Sequence, residues 1–233
     1  MRHLFYLHGF GSSPDSNKAR FLDARLRRYG IEVRCPDLNE PDFSTLTTTR
    51  MIAQVEREMA GLPPGPVSLI GSSLGGFLAF QLAVRQAADP RAALAVQWPI
   101  DRLILLAPAL DFGRTGFGSL GAAALERWRA IGCHEFMHYA TGQIVPVRYS
   151  LYEDAQSYDS FREMILTPTL IFHGKRDEVV EPAMVQRFAA ARSAVSLRLM
   201  DDDHMLGANL ELIWAESARF LGLRQASPGK ERG

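Results

Sequence analysis

The run Val67-Ser68-Leu69-Ile70 passes without a break into Gly71-Ser72-Ser73-Leu74-Gly75, and that into a segment, 74–87, with apolar residues at helical spacing. A buried strand, a sharp turn and a helix in immediate succession is the context in which Gly-x-Ser-x-Gly reads as a nucleophile elbow. A serine at such a turn takes a strained backbone conformation and projects its hydroxyl. The flanking glycines let neighbouring backbone pass where a Cβ would collide. The register picks Ser73, since Ser72 is out of frame. In a loose glycine-rich loop the same pattern would carry little meaning, so the weight rests on the strand before it and the helix after it.

The same alternation runs along the chain. Apolar runs read as strands near 3–8, 31–34, 67–71, 101–106, 169–173 and 196–200, and helical patterns fill 17–28, 47–60, 74–87, 182–191 and 209–221. Strands that alternate with helices pair in parallel, with the crossover helices laid on both faces. The prediction is an α/β fold built on a mainly parallel sheet of about six strands. No internal repeat is visible. The stretch 110–160 breaks the alternation and is too long for a bare connection. It opens on Gly113, Gly116, Gly118 and Gly121, continues as a short helix through Leu125-Glu126-Arg127-Trp128, and then forms a hairpin around Gly142 and a helical piece near 153–158. Inserted between the halves of the sheet, it should cover the crevice as a small cap. Residues 1–222 then form one domain with this insertion, and the polar stretch 223–233 reads as a disordered tail.

A serine hydroxyl is a poor nucleophile near neutral pH and needs a base, an orienter for that base and donors for an oxyanion. Thr169-Leu170-Ile171-Phe172-His173-Gly174 reads as a buried strand, which puts Asp177 in the loop at its carboxyl end. Asp177 is assigned as the orienting acid, with the adjacent Glu178 its competitor. Ser196-Leu197-Arg198-Leu199-Met200 is the last strand, and His204 is the one histidine that follows it, so His204 is assigned as the base. In a parallel sheet the ligand crevice lies outside the carboxyl ends of the strands, and all three groups converge there. Asp201, Asp202 and Asp203 read as solvated turn formers or helix caps. The turn-rich segment His8-Gly9-Phe10-Gly11-Ser12-Ser13-Pro14 follows the first strand, and the oxyanion donors are assigned to the backbone N–H groups of Phe10 and Leu74. His8 reads as a loop-shaping residue that hydrogen-bonds within its own segment.

One motif competes. His134-Glu135-Phe136-Met137-His138 fits His-Glu-x-x-His, a two-histidine zinc site that requires a helix to bring both imidazoles onto one face. Gly132, Gly142 and Pro146 hem it in, and the aromatic and β-branched flanks of Gly142 favour a hairpin, so the match reads as chance. No metal or organic cofactor is expected.

With 233 residues and 47% hydrophobic content the chain can build one real core. A formal net charge of zero and the lack of a Lys/Arg cluster argue against a nucleic-acid partner. No apolar run reaches membrane-spanning length, and Cys35 and Cys133 suit reduced thiols better than a disulfide framework. With no charged-then-apolar leader before the first strand, a cytoplasmic enzyme is the default expectation.

Taken together, Tyr-Leu-His-Gly-Phe-Gly-Ser-Ser-Pro (6–14), Gly-Ser-Ser-Leu-Gly-Gly (71–76), His-Gly-Lys-Arg-Asp (173–177) and Asp-Asp-His-Met (202–205) resemble the small bacterial YqiA-like esterases of the α/β-hydrolase superfamily. The cap and the Asp-His segment are also similar to abhydrolase-domain acyl thioesterases. The resemblance spans about residues 2–222. It implies an α/β-hydrolase fold, hydrolysis of carboxylic esters or thioesters of acyl groups, and a triad at Ser73, Asp177 and His204. The partner expected is a small-molecule acyl ester or thioester. Phe112, Phe117, Trp128, Phe136, Tyr139 and Tyr149 of the cap could line its acyl pocket or pack the cap onto the body. A peptidase or acyltransferase on the same fold is left open, as are acyl length, leaving group and oligomeric state. Dehalogenase chemistry is not, because it would need an aspartate at position 73.

Overall fold

The computed structural model of the protein describes residues 2–114, 117 and 120–223. Gly116 and Gly118, and the expected disordered stretch from 224 onward, lie outside the described residues. The strands are β1 (His3–Leu7), β2 (Val33–Arg34), β3 (Val67–Ser72), β4 (Ile100–Leu106), β5 (Cys133–His138), β6 (Gln143–Arg148), β7 (Thr169–Gly174) and β8 (Val195–Met200). The helices are α1 (Asn17–Leu26), α2 (Thr48–Ala60), α3 (Leu74–Ala88), α4 (Ala93–Gln97), α5 (Ala122–Ile131), α6 (Ser150–Ala155), α7 (Pro182–Ala190) and α8 (Leu210–Phe220).

Six strands pair in parallel in the order β2-β1-β3-β4-β7-β8. Strand side chains point to opposite faces with period two, and the sequence uses both phases. Leu4, Tyr6, Ile70, Ile104, Leu106 and Phe172 meet Leu22, Leu26 and Ile213 of α1 and α8 on one face. Phe5, Leu7, Leu69, Leu103, Leu105 and Ile171 meet Met51, Val55, Phe77, Phe80 and Phe188 of α2, α3 and α7 on the other. Apolar residues in both phases are what burial on two faces demands, and they make these strands unbroken hydrophobic runs.

The helices carry their own start signals. Thr47 caps α2 by accepting from Arg50 N, and Met51, Ile52, Val55 and Met59 repeat at helical spacing on its buried side. α3 is different, since every residue from Leu74 to Ala83 is buried. It is the central helix, covered by the sheet on one side and by α2 and the cap on the other. Burying Phe77 and Phe80 alone is worth roughly 1.5–3 kcal/mol each.

The cap stands between β4 and β7. It contains α5, the antiparallel β5–β6 hairpin and α6, and its hairpin turns at Gly142, which takes φ 70°. Trp128 is fully buried, donates from Nε1 to Val147 O at 2.8 Å, and joins the same core as α3. Three local features depart from the sequence expectation. The last helical piece of the cap is Ser150–Ala155, ahead of the expected 153–158, and the short helix Ala93–Gln97 had no apolar periodicity to announce it. The second strand also shrinks to Val33–Arg34, at the sheet's edge. Among the described residues no helix is long and apolar enough to cross a membrane.

Candidate active site

β1 is flanked by β2 on one side and β3 on the other, so the strand order reverses there. A crevice opens at the carboxyl ends of strands where such a reversal occurs. Ser73 stands at the end of β3, on the turn into α3, with φ 53° and ψ −114°. The turn is held by backbone bonds, Ser73 N to Leu106 O at 2.9 Å and Gly76 N to Ser73 O at 3.0 Å. The two motif glycines are explained by contact. A Cβ at Gly71 would overlap the carbonyl of Gly75, and one at Gly75 would overlap the carbonyl of Leu7. β1, the turn and α3 therefore approach one another at backbone distance, which only glycine allows.

Ser73 Oγ lies 3.1 Å from His204 Nε2, and His204 Nδ1 lies 2.8 Å from Asp177 Oδ2. The structure thus brings Ser73, His204 and Asp177 into one hydrogen-bonded chain, assembled from three loops. Asp177 is buried, and its other oxygen, Oδ1, accepts from Val179 N at 2.9 Å and Val180 N at 2.8 Å. Burial pushes its pKa up, but the bonds from His204, Val180 and Val179 outweigh it and hold the carboxyl below its ordinary value. Glu178 is exposed and takes no part.

The loop bearing His204 is locked from within. Asp202 Oδ1 accepts from Asp203 N at 2.9 Å, and its Oδ2 accepts from Ala208 N at 3.1 Å and Asn209 Nδ2 at 2.9 Å. Asp202 is therefore buried and turn-forming, a correction to the solvated role expected of it. Asp203 Oδ1 accepts from Met205 N at 2.8 Å, while Asp201 is exposed and pairs with Arg176. Sequence reasoning passed over Lys18, whose Nζ donates to Met205 O at 3.1 Å and so ties α1 to the residue after His204. Burial draws its pKa down to about 8, against the pull of Asp177, Asp203 and Asp202. No local pattern marks Lys18, because the contact joins residues 187 positions apart.

The loop after β1 lies against the serine. An added Cβ at Gly9 would sit 3.5 Å from Ser73 Cβ. His8 is buried and pins the loop, donating from Nδ1 to Gly9 O at 2.9 Å and accepting Leu38 N on Nε2 at 3.0 Å. Burial lowers its pKa, which suits the neutral ring this pattern requires. Among the described residues no acceptor takes the backbone N–H of Phe10 or of Leu74. The Leu74 N–H opens α3, where the helix dipole is positive.

The six cap aromatics occupy different places. The Phe10 ring packs on Phe43 (5.0 Å), Phe117 (5.4 Å) and Phe136 (5.2 Å), so the loop beside Ser73 shares its side-chain contacts with the cap. Phe112 is buried against Phe117 and Phe77. Trp128 is enclosed among Phe117, Phe136, Tyr149 and Tyr152. Tyr139 is 74% exposed at the hairpin tip, where Ala140 N bonds Gly11 O at 3.1 Å.

His134 and His138 lie on strand β5, four residues apart, which separates them by ~13 Å along the strand. A His-Glu-x-x-His zinc site needs a helical turn and does not fit here. His138 bonds Thr141 Oγ1 through Nδ1 at 2.8 Å and packs on Phe43, and His134 packs on Phe136. Among the described residues no group of three His, Cys, Asp or Glu is placed to hold a metal ion. The double variant His134→Ala/His138→Ala should keep activity toward a short ester within roughly tenfold, about 1.4 kcal/mol of transition-state free energy, with no response to chelator. Chelator-sensitive turnover that vanishes in this variant would return the chemistry to a metal.

A parallel six-stranded sheet with helices on both faces, a strained serine on the β3–α3 turn and a cap before β7 define an α/β-hydrolase fold. The chain belongs to the uncharacterised protein family UPF0227, whose sequence profile matches residues 3–218. Solved structures agree on the fold. A provisionally assigned hydrolase from Agrobacterium vitis S4 is 22% identical and superposes with a TM-score of 0.82, over 94% of this chain and 87% of its own. Est1E from Butyrivibrio proteoclasticus, solved with ferulic acid bound, is 19% identical with a TM-score of 0.76, over 94% and 88%. Mouse alpha/beta hydrolase domain-containing protein 10 is 20% identical with a TM-score of 0.73, over 94% and 89%. No curated protein matches the sequence.

Proposed function

We propose that this protein is a serine hydrolase that cleaves carboxylic esters or thioesters of acyl groups through a covalent acyl-enzyme on Ser73. The observation that carries the reading is the chain Ser73 Oγ–His204 Nε2–His204 Nδ1–Asp177 Oδ2, at 3.1 and 2.8 Å, standing at the carboxyl edge of the sheet. Ser73 attacks the substrate carbonyl while His204 Nε2 takes its proton, and Asp177 fixes the tautomer and stabilises the imidazolium. The N–H groups of Phe10 and Leu74, which meet no acceptor among the described residues, receive the developing oxyanion. His204 then protonates the departing alkoxide or thiolate, and the acyl group stays on Ser73. In the second half His204 takes a proton from water, the hydroxide attacks the acyl-serine, and the carboxylic acid leaves as Ser73 recovers its proton.

The acyl group is assigned to the face formed by Phe10, Phe117 and Phe136, which is apolar and adjoins the serine loop. Est1E with its bound ferulic acid and the Palaeococcus ferrophilus monoacylglycerol lipase are neighbours in fold that lend weight to an ester substrate. Free thiols at Cys35 and Cys133 suit a reducing compartment, and a cytoplasmic setting is part of this proposal. The test is labelling with a fluorophosphonate probe, followed by turnover of matched oxygen and thiol esters of graded acyl length. Labelling at Ser73 with release of free acid supports the reading. Unlabelled, well-folded protein that turns over no ester in the series would sink it.

A further inference from the structure

His173, near the end of β7, is completely buried, carries a nitrogen that no described group reaches, and stands against the Asp177 carboxylate. Its Nε2 lies 3.0 Å from Val180 O and 3.3 Å from Asp177 Oδ2. A carbonyl only accepts, so Nε2 bears the proton and the ring is a neutral Nε2–H tautomer that donates to Val180 O, with Asp177 Oδ2 close beside the same edge. Nδ1 is then a buried lone pair without a donor. A phenylalanine in this place would leave no such orphan, and a buried unpaired polar atom costs stability. What the imidazole supplies instead is a bond to Val180 O, which fixes the residue whose N–H holds Oδ1, and a positive N–H edge 3.3 Å from Oδ2, the oxygen that accepts from His204. Three groups therefore hydrogen-bond one carboxylate, Val179 and Val180 on Oδ1 and His204 on Oδ2, with the His173 Nε2–H edge standing against Oδ2.

We propose that His173 is a positioning residue for Asp177: its neutral Nε2–H fixes Val180, whose own N–H holds Oδ1, and its positive edge beside Oδ2 takes up part of the carboxylate's charge, and so sets the basicity of His204. The inference rests on the reading of Ser73, His204 and Asp177 as the catalytic groups. No proton leaves His173 during turnover. The serine proton travels to His204 and on to the leaving group, and Asp177 stays ionised throughout. A proton on His173 Nδ1 would set a cation beside the imidazolium forming on His204, and burial opposes this by drawing its pKa down. Lys18 of α1 bonds Met205 O, next to His204, and Asp202 and Asp203 precede His204 in its own loop.

His173→Phe and His173→Gln are compared with the wild type in the pH profile of kcat/KM for a short ester, whose acid limb reports His204 in the free enzyme. Phenylalanine fills the space without a donor, and glutamine keeps an N–H at comparable reach. Without the N–H, Asp177 presents more of its charge to His204 and favours the imidazolium. The acid limb of His173→Phe is then expected to rise by about half a pH unit, with kcat down roughly tenfold. His173→Gln should return both toward the wild type. An unmoved limb would mean the ring only packs, and a lowered limb would mean the Asp177–His204 bond itself had been lost; either overturns the proposal. A second measurement needs no variant. In imidazole ¹⁵N spectra of the wild type, His173 should keep a protonated Nε2 and a bare Nδ1 from about pH 5 to pH 9. The opposite tautomer, or titration in that range, overturns the proposal as well. Wild-type protein that neither labels at Ser73 nor hydrolyses esters removes the catalytic reading and its dependent, whereas the spectra judge the hydrogen bond separately.

Discussion

Ser73→Ala is expected to abolish fluorophosphonate labelling and to lower ester turnover by on the order of 10⁶-fold, the scale seen when a triad nucleophile is deleted. The thermal midpoint should move little. Among the described residues Ser73 contributes its hydroxyl to one bond, with His204 Nε2, while the bonds that hold the elbow belong to its backbone and survive the change. Alanine at φ 53° meets the strain that serine already bears. A residual rate above that in water is expected, because Phe10 and Leu74 N–H groups and the binding face remain. The comparison is made by gel fluorescence and by initial rates on one preparation of each protein, with thermal unfolding as the control. Labelling of the variant equal to the wild type would place the nucleophile elsewhere.

Asp177→Asn should lower kcat by about 10⁴-fold, while Glu178→Gln should leave it within a fewfold. The Asp177 carboxylate receives N–H groups at both oxygens, so an amide there forces one NH₂ against a donor. If that NH₂ faces His204 Nδ1, the imidazole turns to the other tautomer and presents a proton to Ser73 in place of a lone pair. Stability should follow with a definite sign. The folded-state pKa of Asp177 is lowered, so its contribution is complete above the ordinary carboxylate value, about pH 4, and fades as the pH falls below it. The gap in urea midpoint between wild type and Asp177→Asn should therefore be widest near neutrality and close on acidification. A larger kcat loss for Glu178→Gln than for Asp177→Asn would move the acid by one residue.

The sheet and elbow were readable from the chain because their causes are local. A strand buried on both faces needs apolar residues in both phases, and β1, β3, β4 and β7 have them. The turn at Ser73 needs glycine at 71 and 75, and has it. The hairpin at Gly142 declared itself through its turn residue and flanks, which is why His134-Glu135-x-x-His138 could be read as a strand. Where local causes are weak, the observed elements depart from the sequence pattern. α4 is a single turn or so with no buried residue, and α6 is short enough for its ends to be set by what it packs on.

What the sequence determined by itself is therefore the order of strands and helices, the strained turn, and a serine, an acid and a histidine each just past a strand end. Those features follow from backbone preference and side-chain period, which act over a few residues. Only the tertiary structure decided that Asp177 and not Glu178 faces His204, that Asp202 is a buried lock, that Lys18 ties α1 to the histidine loop, and that His173 stands against Oδ2 while bonding Val180 O. These depend on how loops from opposite ends of the chain come to rest, and hydrogen-bond geometry at 3 Å is fixed by the packing of the whole sheet beneath them.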